Sequence, residues 1–249
     1  MPRATGDPTF LLVHGGATTG RFWDRLVADL DRPALAVDLP GRGDKTADIA
    51  SLTLDQCAAS VLEDVDPVGV GDVAIVAHSS GALVVPRIVA GLSGRVRHVF
   101  LSAGSVPPDG GTGLDCMKAS HRRRTEAALA WARERGEVIT TPGPPEDPEV
   151  MREAYGERLD DATLAYVTDP VRSVPDSFNL YYQPVSWESA RDVPVTYLKN
   201  ARDRPVPPEL QDEMAARLRG ADVVTLDCGH IPAITRPAAF AALLRERTG

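Results

Sequence analysis

Ala77-His78-Ser79-Ser80-Gly81 lies between the apolar run Val73-Ala74-Ile75-Val76 and a mostly apolar stretch from Ala82 to Leu92. A strand that stops at small-x-Ser-x-Gly and turns at once into a helix holds the central serine at the tip of a sharp turn, at the helix N-terminus. Strand and helix backbones nearly touch there, so the positions two residues either side must be small. Ala77 and Gly81 meet that need and make Ser79 the candidate nucleophile. Ser80 does not fit, because its flanking positions are His78 and Ala82. A serine that only caps a helix looks the same locally, so the rest of the chain has to decide.

A serine hydroxyl needs a base to take its proton, and the base needs an acid to hold its tautomer. In elbow-type folds the chain order is Ser, then Asp or Glu, then His. Val193–Leu198 reads as a strand, and Asp203 lies in the loop beyond its end. Asp222–Leu226 reads as the next strand, followed by Asp227-Cys228-Gly229-His230. Functional groups of open parallel sheets collect at the carboxyl ends of the strands, so Ser79, Asp203 and His230 can converge. Of the other histidines, His98 starts a strand-like run, His121 precedes Arg122-Arg123-Arg124 and reads as solvated, His78 is the elbow's variable position, and His14 reads as loop-shaping. Asp192 precedes its strand and Asp227 is too close to His230 in sequence; Asp109, after the strand Val99–Leu101, is the competitor for the acid.

Acyl transfer builds negative charge on a carbonyl oxygen, which backbone N–H groups stabilise; losing one donor costs roughly 10²–10³ in rate. One donor is expected from Ser80, the residue after the nucleophile, and the second from the loop after the first strand. That loop is His14-Gly15-Gly16-Ala17-Thr18-Thr19-Gly20, and Gly16 is assigned the second donor, with Ala17 as alternate. Neither GxGxxG nor GxxxxGK[ST] is present, which speaks against a phosphate cradle.

With these residues in place the chain resembles the α/β-hydrolase-fold serine hydrolases from about Phe10 to Leu244. The marks are His14-Gly15-Gly16, Asp38-Leu39-Pro40-Gly41-Arg42-Gly43, the elbow around Ser79, Asp203, and Gly229-His230. Within that superfamily it is similar to the branch of plant-type methyl esterases and hydroxynitrile lyases. The resemblance implies Ser79 as nucleophile, His230 as base and Asp203 as acid, with no cofactor or metal. The lyases of that branch carry lysine directly after the histidine, where this chain has Ile231; an apolar neighbour suits the esterases. Ala77 stands where glycine is usual.

Strands and helices alternate from Phe10 to His98, the pattern of a parallel sheet with crossover helices. The expected architecture is an α/β-hydrolase fold: a mostly parallel sheet of about six strands, flanking helices and a helical cap. Residues 1–104 and 188–249 form the core and 105–187 the cap. Phe22, Leu26, Val27 and Leu30 are expected on one helical face. Pro207 and Pro208 begin the next-to-last helix, with Leu210, Met214 and Leu218 recurring along it, and Pro237 opens the last, with Phe240, Leu243 and Leu244 on one side. In the cap, Leu114–Arg135 is helix-like, with a weak face of Met117, His121, Thr125, Ala128, Leu129 and Ala132, and Pro142-Gly143-Pro144-Pro145 breaks it. Trp131, Tyr155, Tyr166, Phe178, Tyr181, Tyr182 and Trp187 supply aromatics to the cap, a minority of them facing substrate, with Phe22 and Trp23 as further candidates.

A chain of 249 residues suits one domain with a sizeable core. The net charge of −8 speaks against nucleic-acid binding. Cys57, Cys116 and Cys228 are odd in number and widely spaced, so neither a disulfide framework nor a zinc site is implied. No apolar run reaches about 18 residues and Met1–Pro8 is short and polar, so no membrane span and a cytoplasmic location are expected. Arg122-Arg123-Arg124 reads as a solvated helix face, with a dock for an acidic carrier protein as its sharper meaning. The function expected is cleavage of a small or medium, largely uncharged ester or thioester, with activity rising with pH through a group near the reference histidine value of about 6.5. The alternatives are lyase, elimination or cyclisation chemistry at the same triad, and a small-molecule receptor.

Overall fold

Phe10 and Leu12 face one side of a sheet, Leu11 and Val13 the other, and all four are buried. This two-sided burial is what a parallel sheet covered by crossover helices requires, and it is why its strands read as continuous apolar runs. The computed structural model describes residues 7–67, 69–137, 140 and 147–248. Its sheet has six strands: β1 (Thr9–Val13), β2 (Ala34–Val37), β3 (Val73–His78), β4 (Val96–Ser102), β5 (Val195–Asn200) and β6 (Asp222–Leu226). The order is β2-β1-β3-β4-β5-β6. Every pairing is parallel, with Leu11 beside Ile75, Ile75 beside Val99 and Val99 beside Val195.

Helices cover both faces. The helix α1 (Asp24–Asp29) lies on the Phe10 side. On the Leu11 side lie α2 (Leu54–Val65) and α3 (Val85–Leu92). The start of α2 is set by a capping box, Thr53 with Gln56, and its Leu54, Cys57, Ala58, Val61 and Val65 form one buried stripe. Between β4 and β5 the chain leaves the sheet and forms α4 (Ala119–Arg135), α5 (Pro148–Glu153) and α6 (Asp161–Thr168). It closes with α7 (Pro208–Ala215), α8 (Pro232–Thr235) and α9 (Pro237–Thr248), whose Phe240, Leu243 and Leu244 are buried.

Three local expectations change. Gly20–Trp23 forms a 3-10 turn before α1 begins, so a 3.6-residue period does not run through; Phe22 and Leu26 are buried while Val27 is exposed. Leu218 is buried but lies beyond the end of α7, and the short α8 intervenes as the next-to-last helix. In α4 only Thr125 and Ala132 of the expected face are buried, and His121 and Ala128 are exposed. The Pro142–Pro145 break lies outside the described residues.

Candidate active site

After β1 the chain turns to β2 on one side, and after β2 it returns to β3 on the other. The loops leaving β1 and β3 therefore diverge and open a crevice at the strand ends, the place where such sheets bind ligands. Gly16 and Ser79 flank it, and both line one cavity of about 430 Å³ together with His230.

Ser79 follows the last residue of β3 and starts a 3-10 turn, Ser79–Leu83. Its φ is +51°, a left-handed conformation that a residue with a β-carbon adopts only under the constraint of its surroundings. The constraint is visible: a β-carbon on Gly81 would collide with the carbonyl of His14, and one on Gly15 would press on His78 and Ser79. Elbow and β1 loop are packed backbone to backbone, which is why Gly81 and Gly15 have no room for a side chain.

Asp203 sits beyond β5 and His230 beyond β6. His230 Nδ1–H donates to Asp203 Oδ2 at 2.6 Å, and the two side chains are 8% and 0% exposed. The other oxygen of Asp203 accepts the Val206 N–H at 2.7 Å, so the carboxylate cannot swing away without losing a second bond. With Nδ1 donating, the neutral ring carries its lone pair on Nε2. The Ser79 hydroxyl has no hydrogen bond among the described residues; such bonds are often long before substrate binds. Asp109, the competing acid, borders a separate groove with Pro107 and Trp187.

His14 shapes the β1 loop. Its Nδ1–H donates to Gly15 O at 2.8 Å and its Nε2 accepts the Leu39 N–H at 3.2 Å. That pattern needs a neutral ring, and burial, reinforced by the Arg42 guanidinium, pushes its pKa down to about 3. His78 is likewise held neutral by burial and by the neighbouring His230; its Nε2–H donates to the His230 carbonyl at 2.8 Å. Its ring lies between Phe22 and His230, 4.6 Å from each.

Among the described residues Gly16 N–H makes no hydrogen bond, while Ala17 N–H points at Asp176 Oδ2 at 3.4 Å. Asp176 comes from the segment between β4 and β5 and forms a fully buried ion pair with Arg42. The same segment runs antiparallel to the β1 loop through a Thr18–Ser173 bridge, with Val174 N–H donating to Ala17 O at 3.1 Å. None of this was visible in the sequence, where Arg42 appeared only as part of a loop.

The cavity walls are largely apolar: Phe22, Met117, Met151, Phe178, Ile231 and Ile234 all contribute. Of the insertion's aromatics, Tyr155, Phe178 and Tyr181 line it, whereas Trp131 is half exposed and Trp23 is buried in the core. Arg172 also lines the cavity, but its charge is taken up by Asp169 at 2.9 Å and Asp24 at 3.0 Å, and it stacks on Tyr166. His121 borders the cavity from an exposed position on α4.

Residues 10–243 match the family model described as the alpha/beta hydrolase family. The chain belongs to that family. Among its relatives is the lipase LipV of Mycobacterium tuberculosis, 29% identical over 98% of this chain and 95% of that protein. An extracellular alpha/beta-hydrolase from a Paenibacillus species superposes with a TM-score of 0.81 at 19% identity, covering 97% of this chain and 99% of that one. The methylesterase MES16 from Arabidopsis superposes with a TM-score of 0.69 at 23% identity, covering 96% and 98%. Both superpositions show a shared fold, and the plant methylesterase falls in the branch that the motifs resemble. Among the described residues no helix is long and apolar enough to cross a membrane.

Proposed function

We propose that this α/β hydrolase cleaves small or medium, largely uncharged carboxylic esters or thioesters through an acyl-enzyme on Ser79. The observation that carries this reading is the buried 2.6 Å bond between Asp203 and His230, the latter lining the same cavity as the left-handed Ser79. Ser79 Oγ attacks the carbonyl carbon while His230 Nε2 takes its proton. The N–H groups of Gly16 and Ser80 receive the charge that forms on the carbonyl oxygen. The bond to the leaving alcohol or thiol then breaks, and His230 returns the proton to that group. Water, deprotonated by the same imidazole, attacks the acyl carbon and releases Ser79 and the acid. Asp203 keeps the imidazole in the productive tautomer and stabilises its charged form.

The apolar walls and the neutralised Arg172 favour uncharged acyl and alcohol groups. Residues 105–187 act as the cap that supplies much of the wall and excludes water. Ile231, buried on the cavity wall, replaces the lysine of the resembling lyases and so favours hydrolysis. A thioester on an acidic carrier protein is a second reading, supported by the exposed Lys118, Arg123 and Arg124 beside His121.

A fluorophosphonate probe tests the proposal. One adduct on the wild type by intact mass, absent from Ser79→Ala, is expected, followed by turnover of short p-nitrophenyl esters. A folded protein that gains no adduct and hydrolyses no ester would overturn it. A carrier-bound thioester beside a free one in the same panel separates the two substrate classes.

A further inference from the structure

The turn Tyr155-Gly156-Glu157 of the insertion is wedged between the loop carrying Asp203 and the loop carrying His230. Tyr155 O accepts the His230 N–H at 2.7 Å. The Tyr155 ring lies nearly parallel to the imidazole, 13° off and 6.3 Å between centroids. Gly156, at φ +96°, presses so closely on the carbonyl of Arg202 that any β-carbon would collide with it. This is a position only glycine can fill, and the carbonyl it presses on belongs to the residue before Asp203.

Glu157 completes the wedge. Its Oε1 accepts the Gly229 N–H at 3.2 Å and the Thr235 hydroxyl at 2.6 Å. Its Oε2 faces Arg236 at 3.2 Å and Arg202 at 3.9 Å, and the side chain is 8% exposed. One carboxylate therefore ties together the residue before His230, the last residue of α8 and the residue before Asp203. From the opposite side the His230 carbonyl is held by His78. The rest of the loop is tied to the end of β5: Cys228 N–H donates to Leu226 O at 3.0 Å, the Cys228 carbonyl accepts the Arg202 N–H at 2.9 Å, the Arg202 guanidinium donates to the Asp227 carbonyl at 2.7 Å, and Asn200 Nδ2 reaches the His230 carbonyl at 3.4 Å.

We infer that Glu157 is a positioning residue: through Gly229 and Thr235 it holds His230 in register with Asp203 and Ser79, so that the insertion aligns the base as well as walling the cavity. The inference rests on the hydrolase reading above. A displacement of about 1 Å at a reacting group can cost on the order of 10²-fold in rate; without the carboxylate, Gly229 and Thr235 lose their shared acceptor and the His230 backbone is left on its bonds to Tyr155, His78 and Asn200. The two acceptor bonds matter more than the charge, because Arg236 is half exposed and a partly solvated ion pair contributes little.

The test compares Glu157→Ala with Glu157→Gln on p-nitrophenyl butyrate, with active sites titrated by the fluorophosphonate. Glu157→Ala is expected to lower kcat per titrated site by about 10- to 100-fold with KM within about twofold. Glu157→Gln, which keeps an oxygen for both donors, is expected to recover most of that loss. A kcat per titrated site within about twofold of wild type in Glu157→Ala, or equal loss in Glu157→Gln, would overturn the inference, since a merely structural role changes the number of active sites and not their turnover. If Glu157→Ala does not fold, Thr235→Val removes one of the two donors and is expected to lower kcat about threefold; an unchanged kcat counts against the role. The downfield proton resonance of His230 Nδ1–H reads the same alignment without turnover. It should broaden or move in Glu157→Ala and persist in Glu157→Gln, and its persistence at the wild-type position in both would refute the inference even if the chain hydrolyses no ester.

Discussion

Replacing Asp176 by leucine leaves the Arg42 guanidinium buried and without its carboxylate. Both side chains are essentially inaccessible, at 2% and 1% exposure, so water cannot take over as partner. Removing one member of such a pair costs about 3–5 kcal/mol. For a chain of this size about 1 kcal/mol corresponds to roughly 2–4 °C in Tm, so the midpoint should fall by roughly 6–20 °C; Arg42→Met should do the same. The double variant Arg42→Met/Asp176→Leu removes both charges and their desolvation cost together. Among what it still loses are two hydrogen bonds, Ser177 N–H to Asp176 Oδ1 at 2.7 Å and Arg42 Nη1 to Pro40 O at 2.9 Å. At about 1 kcal/mol each they leave the double variant about 2 kcal/mol below wild type, and so more stable than either single variant. The 3.4 Å approach of Ala17 N–H is too long to add much. Urea and thermal unfolding followed by circular dichroism give the full cycle. A coupling energy below about 1 kcal/mol, with the two single losses simply adding in the double variant, would refute the reading of this contact as a desolvated ion pair.

Acidification should destabilise the fold well before the carboxylates titrate. His14 is held down to about 3 and His78 well below its ordinary value by burial. The unfolded chain therefore binds protons that the folded one refuses. Stability is full above about pH 6.5 and falls as pH drops from there towards 3, by roughly 1 kcal/mol per pH unit and per histidine; a Tm that stays flat between pH 7 and 5 would contradict this. Gly81→Ala drives a β-carbon into the carbonyl of His14, so a loss of about 3 kcal/mol or more and of fluorophosphonate labelling is expected. Wild-type stability in that variant, measured in the same urea titration, would show that elbow and β1 loop are not packed backbone to backbone.

The central strands of the sheet were legible because they are covered on both faces. Phe10–Val13 and Val73–Ala77 are apolar at every position, and no alternation is needed to recognise them. The elbow was legible because contact between two backbones demands small residues at set spacing, and Ala77 and Gly81 satisfy it locally. Asp203 and His230 could be placed at strand ends by chain order alone. Helix faces were harder to read: Val27 fits the apolar period but is exposed, since a 3-10 turn resets the phase before α1.

The sequence by itself determined the fold class and which residues stand at the carboxyl ends of the strands, because those follow from local periodicity and steric spacing. Tertiary structure alone decided what holds them there. Glu157 meets Gly229 across 72 positions of sequence, and Asp176 meets Arg42 from a different element of the fold altogether. An isolated carboxylate in a polar insertion carries no local signal of its partner, because pairing depends on how the insertion folds back over the sheet. The same holds for the cavity wall: Met117, Met151 and Phe178 have ordinary core-residue types, and only their convergence around Ser79 makes them an apolar site.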